Sequence, residues 1–79
     1  MRIEEIITVM QSSKYGLTSW QIVEMFNPSL TGKEKDYQRH KAVTKLSELK
    51  RQGYVMISDD NPKLYFLTRD GRELKCRVN

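Results

Sequence analysis

Between residues 33 and 51, polar and basic side chains recur every three or four positions: Lys33, Tyr37, His40, Lys41, Thr44, Glu48 and Arg51. At 100° per residue they fall on one side of a helix. Ala42, Leu46 and Leu49 cluster on the opposite side, with Val43 at the edge of that cluster. Gln38 and Lys45 lie on one flank, and Arg39 lies closer to the apolar side. A solvent-facing stripe of ammonium groups and hydrogen-bonding tips suits a polyanion, whose phosphates the cations neutralise. The plainer alternative is a solvated helix face with a chance excess of charge.

The charge distribution sharpens that alternative. The chain has 79 residues and a formal net charge of +4. Residues 1–30 carry two basic and three acidic side chains, a net of −1. Residues 31–55 carry seven basic and three acidic side chains, a net of +4, and residues 56–79 add +1. The excess therefore sits on the segment with the polar stripe, which is the electrostatic footprint of a polyanion binder.

Other chemistries find little support. No acid–base pair or activated nucleophile is visible, and Ser12-Ser13 has no base partner in sequence, so the chain does not read as an enzyme. His40 is a lone histidine without a set of metal ligands around it in sequence, and no metal or other cofactor is expected. Asp59-Asp60-Asn61 begins like a calcium loop but lacks the downstream glycine and bidentate glutamate. There is no glycine-rich phosphate loop. The single thiol, Cys76, cannot form an internal disulfide, and no secretory leader or membrane-spanning run is visible. A reducing, cytoplasmic setting is the expectation.

A chain this short buries only about 60% of its unfolded surface. Its 38% apolar share suits one compact domain over residues 1–79 without a deep cavity. Ile3, Ile6, Ile7 and Met10 predict a first helix over about 2–12, with Glu4 and Glu5 in the dipole-favoured first turn. Thr18 with Gln21 predicts a capping box, and Leu17 with Ile22 a hydrophobic staple, for a second helix that ends at Asn27-Pro28. Trp20, Val23 and Phe26 read as its core face, with Ile22 and Met25 beside it. The third helix starts either at Thr31, boxed with Glu34, or near Asp36; the Thr31 start is preferred, giving a helix over about 32–52. Gly53 supplies its left-handed stop. Strands over 54–57 and 63–67 flank a tip at 58–62. Beyond Thr68 the pattern is ambiguous. It fits a short capped helix, but Asp70-Gly71 also suits a hairpin turn into a strand through Leu74, Cys76 and Val78.

Two runs carry a resemblance: Ala42-x-x-x-Leu46-x-x-Leu49-x-x-x-Gly53-Tyr54-Val55, and Tyr65-Phe66-Leu67-Thr68-Arg69-Asp70-Gly71-Arg72-Glu73-Leu74. With the two preceding helices, the chain from Ile3 to Leu74 resembles the winged helix-turn-helix family of DNA-binding proteins, of the small prokaryotic or phage transcriptional regulator type. The resemblance implies an α+β fold: three helices, a C-terminal β-hairpin wing, and either a short fourth helix or a third strand at the C-terminus. It implies double-stranded DNA as partner, with the N-terminal half of the third helix in the major groove. Tyr37, Gln38, His40, Lys41, Thr44 and Lys45 would then face base edges and flanking phosphates, with Gln38 on an adenine and Lys41 or Lys45 on a guanine. Lys33 and Lys35 would hold phosphates from the connector, and Lys63 from the wing. Lys14 and Tyr15, before the second helix, read more simply as a loop lysine and a core-edge tyrosine.

Two departures from the family pattern matter. The connector after Asn27 is longer than a tight turn, and the wing tip carries Asp59-Asp60 where DNA-gripping wings carry basic residues. They motivate a second reading, a winged-helix module that binds protein; an RNA-binding or accessory subunit of a nucleic-acid machine is a third. A domain of this size covers few base pairs, so useful specificity calls for a homodimer or a larger protein partner.

Overall fold

Apolar residues at helical spacing generate the first layer of the fold. In the computed structural model, which describes residues 1–74, α1 spans Ile3–Gln11 and buries Ile6, Ile7 and Met10. Its first turn is closed by the Arg2 N–H, which donates to the Glu5 carboxylate at 2.8 Å. The next helix, α2, spans Ser19–Phe26. Its capping box forms as expected: the Gln21 N–H donates to Thr18 Oγ1 at 3.1 Å, and the Thr18 N–H to Gln21 Oε1 at 2.9 Å. Leu17 and Ile22, the staple pair, are both buried. The chain leaves helical geometry at Asn27, which is extended at φ −150° before Pro28.

The longest element, α3, spans Gly32–Arg51, so the early start holds. The cap that argued for it does not form: Thr31 makes no side-chain cap bond. Instead Gly32 turns the chain into the helix at φ +58°, a left-handed conformation open to glycine at little cost. The other end follows expectation. Gly53 sits at φ +86°, its N–H donates to Lys50 O at 3.1 Å, and the Tyr54 N–H donates to Leu49 O at 3.0 Å. These are the two bonds of a Schellman stop.

The strands are shorter than their patterns suggested. β1 covers Val55–Ile57 and β2 covers Tyr65–Leu67, antiparallel, with Met56 opposite Phe66. The flanking residues find other partners, because Tyr54 gives its N–H to the end of α3 and Leu64 gives its own to Ser58 Oγ at 3.0 Å. A contact missing from the sequence reading is the bridge between Leu17 and Tyr65, with N–H···O distances of 2.8 and 3.0 Å. It ties the segment before α2 to the free side of the hairpin.

Beyond Thr68 the helix wins. The last helix, α4, spans Arg69–Glu73. Thr68 Oγ1 accepts from the Gly71 N–H at 3.1 Å and donates to Gly53 O at 2.7 Å. The same side chain thus caps α4 and clamps it to the turn after α3. Gly71 permits the approach, since a Cβ there would collide with the Tyr54 carbonyl oxygen. Gln11 closes the far end, its Nε2 donating to Leu74 O at 2.8 Å and Gly71 O at 3.2 Å. Of the two patterns that fit after Thr68, the capped helix forms and the hairpin turn at Asp70-Gly71 does not; the alternation through Cys76 and Val78 lies outside the described residues. The result is an α+β fold of helices with a two-strand hairpin, around one cluster built from Ile6, Ile22, Val23, Leu46, Leu49, Val55 and Leu67 with their neighbours. Ile22 and Val23 form the buried stripe of α2; Trp20 and Met25 are exposed and Phe26 half-buried, which corrects their placement as core. The apolar residues of this short helix offer overlapping faces, and packing buries the β-branched pair.

Candidate nucleic-acid interface

Twenty residues of helix extend about 30 Å and hold their side chains in fixed rows. On α3 the inner row is Ala42, Leu46 and Leu49, all buried. That row fixes the outer one: Lys33, Tyr37, His40, Lys41, Thr44, Glu48 and Arg51 are all exposed, and Gln38 and Lys45 are half-buried on a flank. The helical arithmetic on the sequence thus places each side chain on its expected side.

Within the outer row the side chains differ in freedom. Lys41 Nζ lies 5.4 Å from the centroid of the Tyr37 ring, a cation–π distance that leaves the ammonium exposed. Among the described residues, Lys33, Lys41 and Lys45 make no ion pair. His40 is held by Asp36: its Nδ1 lies 2.9 Å from the Asp36 carbonyl oxygen and 3.6 Å from Oδ2. Thr44 Oγ1 donates to His40 O at 3.0 Å, so its hydroxyl proton is engaged while the oxygen keeps both lone pairs as acceptors. Gln38 Oε1 accepts from the Met1 amino group at 2.8 Å. A bidentate grip on adenine needs both atoms of the amide. Here Nε2 is uncommitted among the described residues, and Oε1 keeps one of its two lone pairs.

Tyr37 and Gln38 line two open hollows. One, of about 390 Å³, runs between the start of α1 and the α3 flank and is lined by Arg2, Glu5, Phe26, Gln38, Lys41 and Lys45. The other, of about 290 Å³, lies beside Lys33, Glu34 and Gln38. Cations thus border the tyrosine in both hollows.

Two lysines of the expected set lie away from this row. Lys35 turns inward, where its Nζ pairs with Glu24 Oε1 at 2.5 Å and lies 5.7 Å from the Trp20 ring centroid. Its position on the helix wheel matches Ala42, so the side chain must run along the α2–α3 seam. Lys63 sits on the exposed loop joining β1 and β2, with Asp59 and Asp60 on the same loop. Tyr15, read from sequence as a core-edge residue, is instead 81% exposed, because the bridge at Leu17 fixes the turn ahead of it on the surface.

Arg39 is the residue that sequence reasoning passed over. Its guanidinium carbon lies 4.7 Å from the centroid of the Trp20 ring, and one terminal nitrogen lies 3.8 Å from Asp36 Oδ1. Its Nε is buried without a hydrogen-bond partner among the described residues. Burial raises the Tyr65 phenol above the usual tyrosine value of 10.0, and the charge of Arg39 pulls it partly back. The only signal in the sequence was the angle that put Arg39 near the apolar side. Nothing local links position 39 to positions 20 and 65.

Among the described residues no cluster of His, Cys, Asp and Glu could hold a metal ion. Among the same residues no helix is long and apolar enough to cross a membrane. No family model matches the sequence, and neither a curated protein nor a solved structure matches it.

Proposed function

We propose that this chain is a winged helix-turn-helix protein that binds double-stranded DNA through α3 and acts as a transcriptional regulator. The observation that carries the reading is the outer side of α3, where Lys33 and Lys41 in the outer row and Lys45 on its flank have no acidic partner among the described residues, around an exposed Tyr37. The element order supports it: α1, α2 and α3, then a hairpin whose second strand pairs with the segment before α2. In this reading α2 crosses the sugar–phosphate backbone and α3 enters the major groove. Lys33, Lys41 and Lys45 neutralise phosphates, and Lys41 also meets a base edge beside the Thr44 methyl. Tyr37 offers its hydroxyl to a phosphate, and Gln38 contributes one donor. His40 flanks the groove. A second copy of the chain, or a larger partner, supplies the additional base contacts that one small domain lacks.

The test is duplex binding against salt concentration. Phosphate contacts release counterions, so the affinity must fall steeply as salt rises. Lys41→Ala and Thr44→Ala should weaken a selected site more than random duplex, whereas equal losses mean that both residues only hold phosphate. No binding at low salt overturns the proposal.

One feature favours a second reading, a protein-docking role for the wing. Asp59 and Asp60 are exposed at its tip, and Met56 is exposed on β1. Acidic side chains repel phosphate, and an exposed methionine suits an adaptable apolar contact. The two readings are compatible on one molecule, with α3 on DNA and the wing on protein.

A further inference from the structure

Arg39 and Trp20 make a contact that the proposed reading row does not use. Trp20 is 42% exposed, on the first turn of α2, and Arg39 lies one turn after Lys35 on α3. The indole carries two cations, Arg39 at 4.7 Å and Lys35 at 5.7 Å from its centroid. Lys35 is fixed in turn by Glu24 of α2. The inner row of α3 begins at Ala42, one turn before Leu46, and the buried side chain there is the smallest of the three in the row. The Lys35 and Arg39 side chains are long and cationic, and both lie against the Trp20 ring.

Arg39 also pays a cost in this position. Its Nε–H is buried with no acceptor among the described residues, an arrangement that native structures rarely keep. The guanidinium side chain is about a quarter exposed, so it is placed for packing rather than for free approach by a ligand. Its charge reaches Tyr65 on β2, which bridges to Leu17. One side chain therefore touches or influences α2, α3 and the sheet.

We infer that Trp20 and Arg39 are positioning residues, which set the rotation of α3 on α2 and hence the aim of Tyr37, Lys41 and Thr44. The inference rests on the DNA-binding reading. Its leverage is geometric: side-chain tips lie about 6 Å from a helix axis, so a rotation of roughly 20° moves them by about 2 Å. That displacement is enough to break a hydrogen bond to a base edge, while a flexible lysine still follows a phosphate.

The experiment compares Trp20→Phe, Trp20→Leu and Arg39→Met with the parent chain. Binding to a duplex site selected from a random pool, and to random duplex, is measured over a salt series. Thermal melting confirms that each variant folds. The expected result is a loss of about tenfold or more on the selected site for Trp20→Leu and Arg39→Met, with the salt slope unchanged. Trp20→Phe, which keeps an aromatic face, retains most of the affinity. A slope shallower by about 0.9 in Arg39→Met means direct phosphate contact and overturns the inference. Parental affinity and selectivity in Trp20→Leu overturn it as well. A parent chain that binds no duplex removes the DNA reading and this inference with it. The stacking itself is checked separately by nuclear magnetic resonance, where the Trp20 ring current shifts the Arg39 side-chain protons and Trp20→Leu abolishes the shift.

Discussion

Lys35 and Lys41 are six positions apart on one helix and identical in chemistry, yet they should differ sharply in their effect on DNA binding. Lys41 is exposed and has no ion pair among the described residues, whereas Lys35 is neutralised by Glu24 at 2.5 Å and half-buried against Trp20. If Lys33, Lys41 and Lys45 each meet one phosphate, α3 contributes about −2.7 to the slope of log affinity on log salt. Raising salt from 50 to 200 mM then weakens its share of binding by about 40-fold. Lys41→Ala removes one contact, which brings the slope to about −1.8 and the loss to about 12-fold. At 0.15 M salt the missing counterion release alone costs about fivefold in affinity. Lys35→Ala removes a charge already matched by a carboxylate, so the slope should stay within about 0.3 of the parent value. The companion Lys35→Ala, Glu24→Gln variant separates any effect of the exposed glutamate. Fluorescence anisotropy of a labelled duplex across 50–300 mM salt measures all four proteins. Equal slope changes in Lys35→Ala and Lys41→Ala would refute the argument from ion pairing. No change in either would show that the outer row of α3 does not face phosphate.

Four further outcomes follow from the geometry. Gly71→Ala forces a methyl into the Tyr54 carbonyl oxygen and should destabilise by about 1–3 kcal/mol, which at roughly 4–8 °C per kcal/mol is plain in a thermal melt. Thr68→Ala removes both the cap of α4 and the bond to Gly53 O, a loss of about 1–2 kcal/mol seen in denaturant midpoints. Asp59→Lys should leave the salt slope unchanged if the wing tip stands away from DNA, and a slope steeper by about 0.9 would put that tip on a phosphate. Burial holds Tyr65 neutral beyond the usual value of 10.0, so above that pH the unfolded chain loses this proton first and stability falls; the native advantage is complete below it. Melts between pH 9 and 11 should show a smaller decline in Tyr65→Phe than in the parent chain.

Much of the candidate site was legible because it is built on one helix. Given Ala42, Leu46 and Leu49 inside, the outward aim of Lys33, Tyr37, Lys41 and Thr44 follows from a period of 3.6 residues. The apolar side of α2 was less legible. Trp20, Ile22, Val23, Met25 and Phe26 crowd eight residues, and periodicity cannot choose between overlapping faces of a short apolar helix. At Thr31 the correct helix start came from a cap that does not form; Gly32 makes the turn instead.

The sequence by itself determined what depends on neighbours within one or two turns: the helices, the Thr18–Gln21 box, the stop at Gly53 and the basic excess on the third helix. These rest on spacing and on local hydrogen bonds, which a reader of the chain can count. Only the tertiary structure decided the rest. It joined Leu17 to Tyr65, paired Lys35 with Glu24, laid Arg39 on Trp20 and set Gln11 against the end of α4. It also chose helix over strand after Thr68, where both patterns fit and the bond to Gly53 O favours the helix. Each of these contacts joins residues from different elements. Their partners are fixed by how the elements pack, and no local pattern in the chain encodes which side chain waits across the seam.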